Sequence, residues 1–254
     1  FRVLDWLRRL RKVSQKLSLP SRDASSGRSQ IQLNPAKLTP SADIYLGRLA
    51  HLLVTIAEQL ELQSETAGDQ ALSKKLHLLS NKYYSKHSEL VPLLSKSGVE
   101  VSQLEALYGT SINQLLERTK GNDFYEELMR NYIVFGMLED SYRRLAKGLT
   151  PAKRLKVEEL LFAQELEKLS QSTLFGAIAQ DSKLGHRMAL YGRMVVADVL
   201  LEVRTSVSFE KVLPSASYRD ETDRTRAQFK ALEPYTSELI AAHTVRMDQL
   251  GLTA

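Results

Sequence analysis

Apolar residues recur along this chain at steps of three and four, with no convincing run at steps of two. That period belongs to amphipathic helices, so the pattern predicts an all-α body without a sheet. Residues 42–63 carry Leu46, Leu49, Leu53, Ile56 and Leu60 at this spacing, and Gly68–Asp69 then turns the chain, with Asp69 placed to cap the next helix. Residues 70–96 follow with Leu72, Leu76, Leu79, Tyr83 and Leu90, and Pro92 is expected to bend or shorten the end. Residues 101–119 read as an arm broken near Gly109–Thr110. Asn122 or Asp123 caps a strong helix over 124–147, Gly148 ends it, and Pro151 opens a helix predicted to run unbroken over 152–180. Asp181 and Ser182 are N-cap types before a very apolar helix over 182–207, where Ala189, Gly192 and Ala197 leave room for a close neighbour. A loop with Pro214 leads to a last helix over 220–250, with a kink expected at Pro234.

The helices 42–63 with 70–96, and 124–147 with 152–180, form two hairpins joined by the long connection 97–121, which is the outline of a four-helix bundle. The last two helices are left to pack on it from outside. The predicted organisation is a body over 41–254 preceded by two different segments. Residues 1–17, FRVLDWLRRLRKVSQKL, read as a basic amphipathic helix, with Leu4, Leu7 and Leu10 on one face and Arg8, Arg9, Arg11 and Lys12 on the other. Residues 18–40 are rich in Ser, Pro and charged residues without periodicity, and read as a linker or surface strap.

Charge sharpens this division. Residues 1–40 hold nine Lys/Arg against two Asp/Glu, while the remainder holds 26 against 28, so the basic character belongs to the arm. Such a face suits RNA phosphates, a protein partner or, less well, an anionic membrane surface; it also suits plain packing on the body. The 254 residues contain no cysteine, which removes disulfides, thiolate zinc sites, iron–sulfur clusters and cysteine nucleophiles. No apolar run approaches the ~20 residues of a membrane span, and the apolar residues of the arm are interrupted too often for a signal peptide, so a cytoplasmic location is expected. Oligomeric state is not legible.

The run AIAQDSKLGHRMALYGRMVVADVL (Ala177–Leu200) and the C-terminal AAHTVRMDQLGL (Ala241–Leu252) resemble segments of the actinobacterial ferritin-like proteins related to the tRNA hydroxylase that acts on a hypermodified adenosine. The resemblance extends more weakly from about Asp43 to the C-terminus and does not cover the first forty residues. It implies a ferritin-like four-helix bundle with additional C-terminal helices. It also implies a di-iron centre, built from one Glu on each of two helices and Glu-x-x-His on the other two, because hard iron ions take carboxylate oxygens with an imidazole each. Yet Glu-x-x-His does not occur: the residues three before His51, His77, His87, His186 and His243 are Arg48, Lys74, Tyr84, Lys183 and Ile240. Set against the resemblance, the first-helix Glu falls at about Leu53, the second-helix motif near Tyr83 and Lys86, and the fourth-helix His at about Leu166.

Glu139 and Asp140 remain as a carboxylate pair on the third helix, and His87 or Glu89 could join them only by a shift of register. The plain reading of Glu139 and Asp140 is solvated or ion-paired, with Arg143 or Arg144 as partners. Tyr83, Tyr84, Tyr125, Tyr132, Tyr142 and Tyr191 read as core aromatics rather than a redox set, and an apolar or tyrosine-lined centre is expected. Two functional readings stay open. One is a non-catalytic scaffold or interaction protein, needing no cofactor and meeting a protein or RNA through its basic arm. The other is a di-iron hydroxylase or oxidase with two Fe ions, acting on modified tRNA.

Overall fold

The computed structural model describes residues 34–95, 101–162, 164–213 and 218–254, all within the compact unit Gln32–Ala254. The basic arm 1–17 lies outside the described residues, as does most of the strap. Among the described residues there are helices and no strand. The first long helices are α1 (Ala42–Thr66), α2 (Gln70–Ser95) and α3 (Val101–Arg118). Next come α4 (Phe124–Arg130), a π-helical turn (Asn131–Phe135) and α5 (Gly136–Leu145), which run on without a gap. α6 (Pro151–Leu161), α7 (Glu165–Gln180), α8 (Ser182–Met194), α9 (Val196–Ser206) and α10 (Glu221–Gln249) complete the chain. No helix among the described residues is long and apolar enough to cross a membrane.

Aspartates start several of these helices by taking backbone N–H groups that have no partner inside the helix. Asp69 accepts from Leu72 N at 2.7 Å, Asp123 from Tyr125 N and Glu126 N at 3.0 Å each, Asp181 from Lys183 N at 2.8 Å and Asp220 from Asp223 N at 2.8 Å. α1 packs along α2 as one hairpin and also meets α3 and α4. α7 and α8 close on α4 and the π turn, α9 lies against α3 and α5, and α10 lies against α5 and α9.

The run Leu128–Glu139 is buried without interruption, so it has no solvent face. A helix apolar on one stripe sits at a surface; one enclosed on every side is the axis around which the others are laid. The three polar or charged members of this run, Arg130, Asn131 and Glu139, must therefore find partners inside the protein. Tyrosines tie the surrounding helices to each other. Tyr45 Oη donates to Tyr142 O at 2.7 Å, Tyr191 Oη to Thr119 O at 2.5 Å and Tyr235 Oη to Ser141 O at 2.8 Å. Each supplies a large apolar ring and satisfies its own hydroxyl on a carbonyl.

The structure departs from the sequence-based expectation at four places. The helix expected to run unbroken over 152–180 stops at Leu161 and restarts at Glu165, with Gln164 in the left-handed region at φ 46°. Val157, Leu160 and Leu161 face inward, and continuing that stripe would bring Gln164 and Lys168 inside; the break re-phases the chain so that Leu166, Ser170 and Leu174 are buried instead. The 182–207 helix divides at Val195, though its buried stripe passes through the division unchanged. α3 is not broken at Gly109. A Cβ there would lie 3.0 Å from His51 Cε1, so this glycine serves close packing rather than a turn. α2 and α10 continue past Pro92 and Pro234. The end of the strap is fixed to the body: Pro35–Leu38 forms a 3-10 turn, Leu38 and Thr39 are buried, and Thr39 Oγ1 donates to Leu145 O at 2.6 Å.

Candidate functional site

Glu139 stands on α5, in the axial run, and is 3% exposed. Burial pushes its carboxyl above the ordinary 4.5, while the Tyr83 hydroxyl, Lys86 and Arg143 pull the other way. Tyr83 on α2 donates its hydroxyl to Glu139 Oε1 at 2.6 Å. Burial and the adjacent Glu139 hold the Tyr83 phenol far above its usual range, so it stays a proton donor in that bond. One turn further along α2, the Lys86 ammonium lies 4.2 Å from the centroid of the Tyr83 ring. Burial lowers the Lys86 pKa, against the opposing pull of Glu139 and Glu165. The spacing of three residues between Tyr83 and Lys86 puts both on one face of α2.

Asp140 belongs to a second, connected cluster. Its Oδ1 accepts from Arg143 Nη2 at 2.5 Å and its Oδ2 from Arg246 Nη2 at 2.8 Å. Arg246, on α10, is 4% exposed, and its Nη2 also reaches Glu167 Oε2 at 3.0 Å and Gly136 O at 3.4 Å. Burial works to lower the Arg246 pKa, and Asp140 and Glu167 more than offset it. Tyr132 Oη donates toward Arg246 O at 3.1 Å and Gln249 Oε1 at 3.0 Å. His243, one turn earlier on α10, is buried and is held neutral down to about pH 4, by burial first and then by Arg246.

The sequence-predicted residues therefore part company. Glu139 and Asp140 come together with Tyr83, Lys86, Arg143 and Arg246. Glu139 is neither solvated nor paired with Arg144, which bonds Glu238 on α10 instead. Glu89 is exposed and holds Lys156 Nζ at 2.6 Å, while His87 is half-buried four residues beyond Tyr83 on α2. No group of three or more His, Asp or Glu side chains able to hold a metal occurs among the described residues. Leu53 and Leu166 are fully and almost fully buried in the same core as Tyr83. Of the tyrosines read as core, Tyr83, Tyr132, Tyr142 and Tyr191 are buried, Tyr125 is half-buried, and Tyr84 is exposed. Arg8, Arg9, Arg11 and Lys12 lie outside the described residues.

Arg246 and Glu167 were not singled out from the sequence, although a signal for Arg246 was present. Leu239, His243, Arg246 and Leu250 recur at three- and four-residue steps, which marks Arg246 as facing inward. For Glu167 no comparable signal exists, because its contact depends on where α10 crosses α7.

An all-helical body wound around one enclosed helix, with a carboxylate at mid-bundle, defines a ferritin-like helical protein. Residues 46–216 match the family described as a ferritin-like domain of actinomycetes, and this chain belongs to that family. No curated protein matches the chain.

Proposed function

We propose that this chain is a non-catalytic member of its family, a helical scaffold or interaction protein that works without a di-iron centre. The observation that carries this reading is the state of Glu139. Its carboxylate accepts from Tyr83 and is offset by Lys86, so its charge is already answered by protein groups. A pair of hard metal ions needs several carboxylates and imidazoles converging from four helices. Here Leu53 and Leu166 stand where the resemblance expects ligands, and Lys86 brings a positive charge into the same space. These donors do not fit the metal pair. The likeness to hydroxylases of modified tRNA supports a shared ancestry for the bundle, and the overwritten centre is the change that separates this chain from them. The working surface on this reading is the basic arm, with Arg8, Arg9, Arg11 and Lys12 contacting RNA phosphates or an acidic protein partner.

Iron analysis of the full chain purified after growth in iron-rich medium tests the first half. The expected iron content is well below one ion per chain, whereas about two irons per chain with oxygen-dependent turnover would overturn it. RNA binding measured across a salt series tests the second half. Binding that weakens steeply with salt and disappears in Arg8→Ala/Arg9→Ala/Arg11→Ala/Lys12→Ala supports phosphate contact, and salt-independent or unaltered binding removes the arm from the account.

A further inference from the structure

A second polar feature lies away from the Glu139 cluster, at the start of the π turn. A cleft of about 580 Å³ opens between the C-terminal halves of α1 and α3 and the helix α4. Its lining includes Gln59, Gln63, Glu117, Lys120, Glu127 and Arg130, with Leu62 and Leu116 as apolar walls. Two of these side chains are almost wholly buried, Gln63 at 4% and Arg130 at 3% exposed.

Their hydrogen bonding is incomplete. Arg130 Nη2 reaches Gln59 Oε1 at 2.5 Å and pairs with Glu127, while Gln63 Oε1 accepts from Asn131 Nδ2 at 2.7 Å. Arg130 Nε and Gln63 Nε2 are buried donors with no acceptor among the described residues. Buried donors of this kind are rare in folded proteins, because each costs about 1–3 kcal/mol of lost hydration. Two unanswered donors on residues of one cleft call for an acceptor with two oxygens. A carboxylate is that acceptor, and a guanidinium is its natural partner. Glu127 already uses both oxygens, one on Arg130 and the other on Gly121 N at 2.8 Å. Glu117 is exposed and adds a carboxylate to the lining, where it can take a cation. Glu117, Glu127, Lys120 and Arg130 sum to no net charge, so a ligand bearing one charge of each sign suits the cleft better than a lone anion.

We propose that this cleft binds a small zwitterion of the free α-amino acid class, its carboxylate taken by Arg130 Nε and Gln63 Nε2, its ammonium by Glu117, and its aliphatic part against Leu62 and Leu116. This proposal does not depend on whether the bundle centre holds metal.

The test is calorimetric titration of the full chain with each of the common free amino acids. For any that binds, the titration is repeated with the matching amine that lacks the carboxylate and with the N-acetylated acid. Saturable binding of at least one amino acid below about 10 mM is expected, with both analogues weaker by about tenfold or more. Gln63→Glu keeps the acceptor for Asn131 while replacing the free donor by an anion, and should weaken binding by more than about tenfold with an unchanged melting curve. Glu117→Gln, at an exposed position, should bring the amino acid down to the affinity of its N-acetylated form. The proposal is overturned if no amino acid binds in this range. It is overturned equally if Gln63→Glu binds as the parent does, or if Glu117→Gln leaves the preference for the zwitterion intact.

Discussion

Glu139 shows how one residue's surroundings convert into a measurable pH dependence. Its folded-state pKa is raised, chiefly by burial, so the folded protein holds a proton that the unfolded chain releases. The corresponding stability is fully present below the unfolded carboxylate value near 4.5 and is lost as pH rises through the raised folded value. Glu139→Gln keeps an oxygen for the Tyr83 hydroxyl and removes the charge. It should therefore be more stable than the parent near neutral pH and equal to it below about pH 4, a difference that denaturant titrations at several pH values would reveal. Tyr83→Phe removes the donor and leaves a buried carboxylate short of a partner, at a cost of about 1–3 kcal/mol in the same assay near neutral pH. If Glu139→Gln were instead less stable at neutral pH, the Lys86 and Arg143 charges would be the stronger influence, and the account of the centre given above would fail.

At the scale of elements, the break between α6 and α7 does the most to place the centre. Had 152–180 remained one helix, the inward stripe of α6 would have carried Gln164 and Lys168 into the core in place of Leu166. The turn that prevents this puts Gln164 at φ 46°, which costs a non-glycine residue about 1 kcal/mol. Gln164→Gly should relieve that strain without touching the core and raise the free energy of unfolding by up to about 1 kcal/mol. A loss of stability in a urea titration would show that the loop is held by the glutamine side chain rather than strained by it. The π turn at Asn131–Phe135 is the other departure from regular helix. It occurs where Asn131 meets Gln63 and Arg130 meets Gln59, at the floor of the proposed amino acid cleft.

For the molecule as a whole, the enclosed helix makes the outer helices interdependent. α10 is last in sequence, yet it supplies Arg246 to Asp140 and Glu167, accepts the Tyr132 hydroxyl and buries Tyr235 against Ser141. Ending the chain before Glu221 would leave Asp140 and Glu167 without Arg246 and expose the α5 face that Tyr235 and Leu239 cover. Such a truncated protein should retain helical circular dichroism but lose the sharp thermal transition of the parent. A truncated chain that melts as sharply as the parent would mean that α10 is an appendage and that the bundle ends with α9.

The order of residues was enough to settle that the body is helical, where most helices begin, and which stripes are buried. Those properties follow from a 3.6-residue period and from caps a few residues away, both local in the chain. It was also enough to show that Glu-x-x-His is missing and that Leu53, Tyr83, Lys86 and Leu166 occupy the places in question. Only the tertiary structure decided that Glu139 is enclosed rather than solvated, that Tyr83 bonds it, and that Asp140 is shared between Arg143 and Arg246. Those facts depend on side chains 56 and 106 positions apart meeting across helices (Tyr83 with Glu139, Asp140 with Arg246), and no local pattern encodes how helices cross.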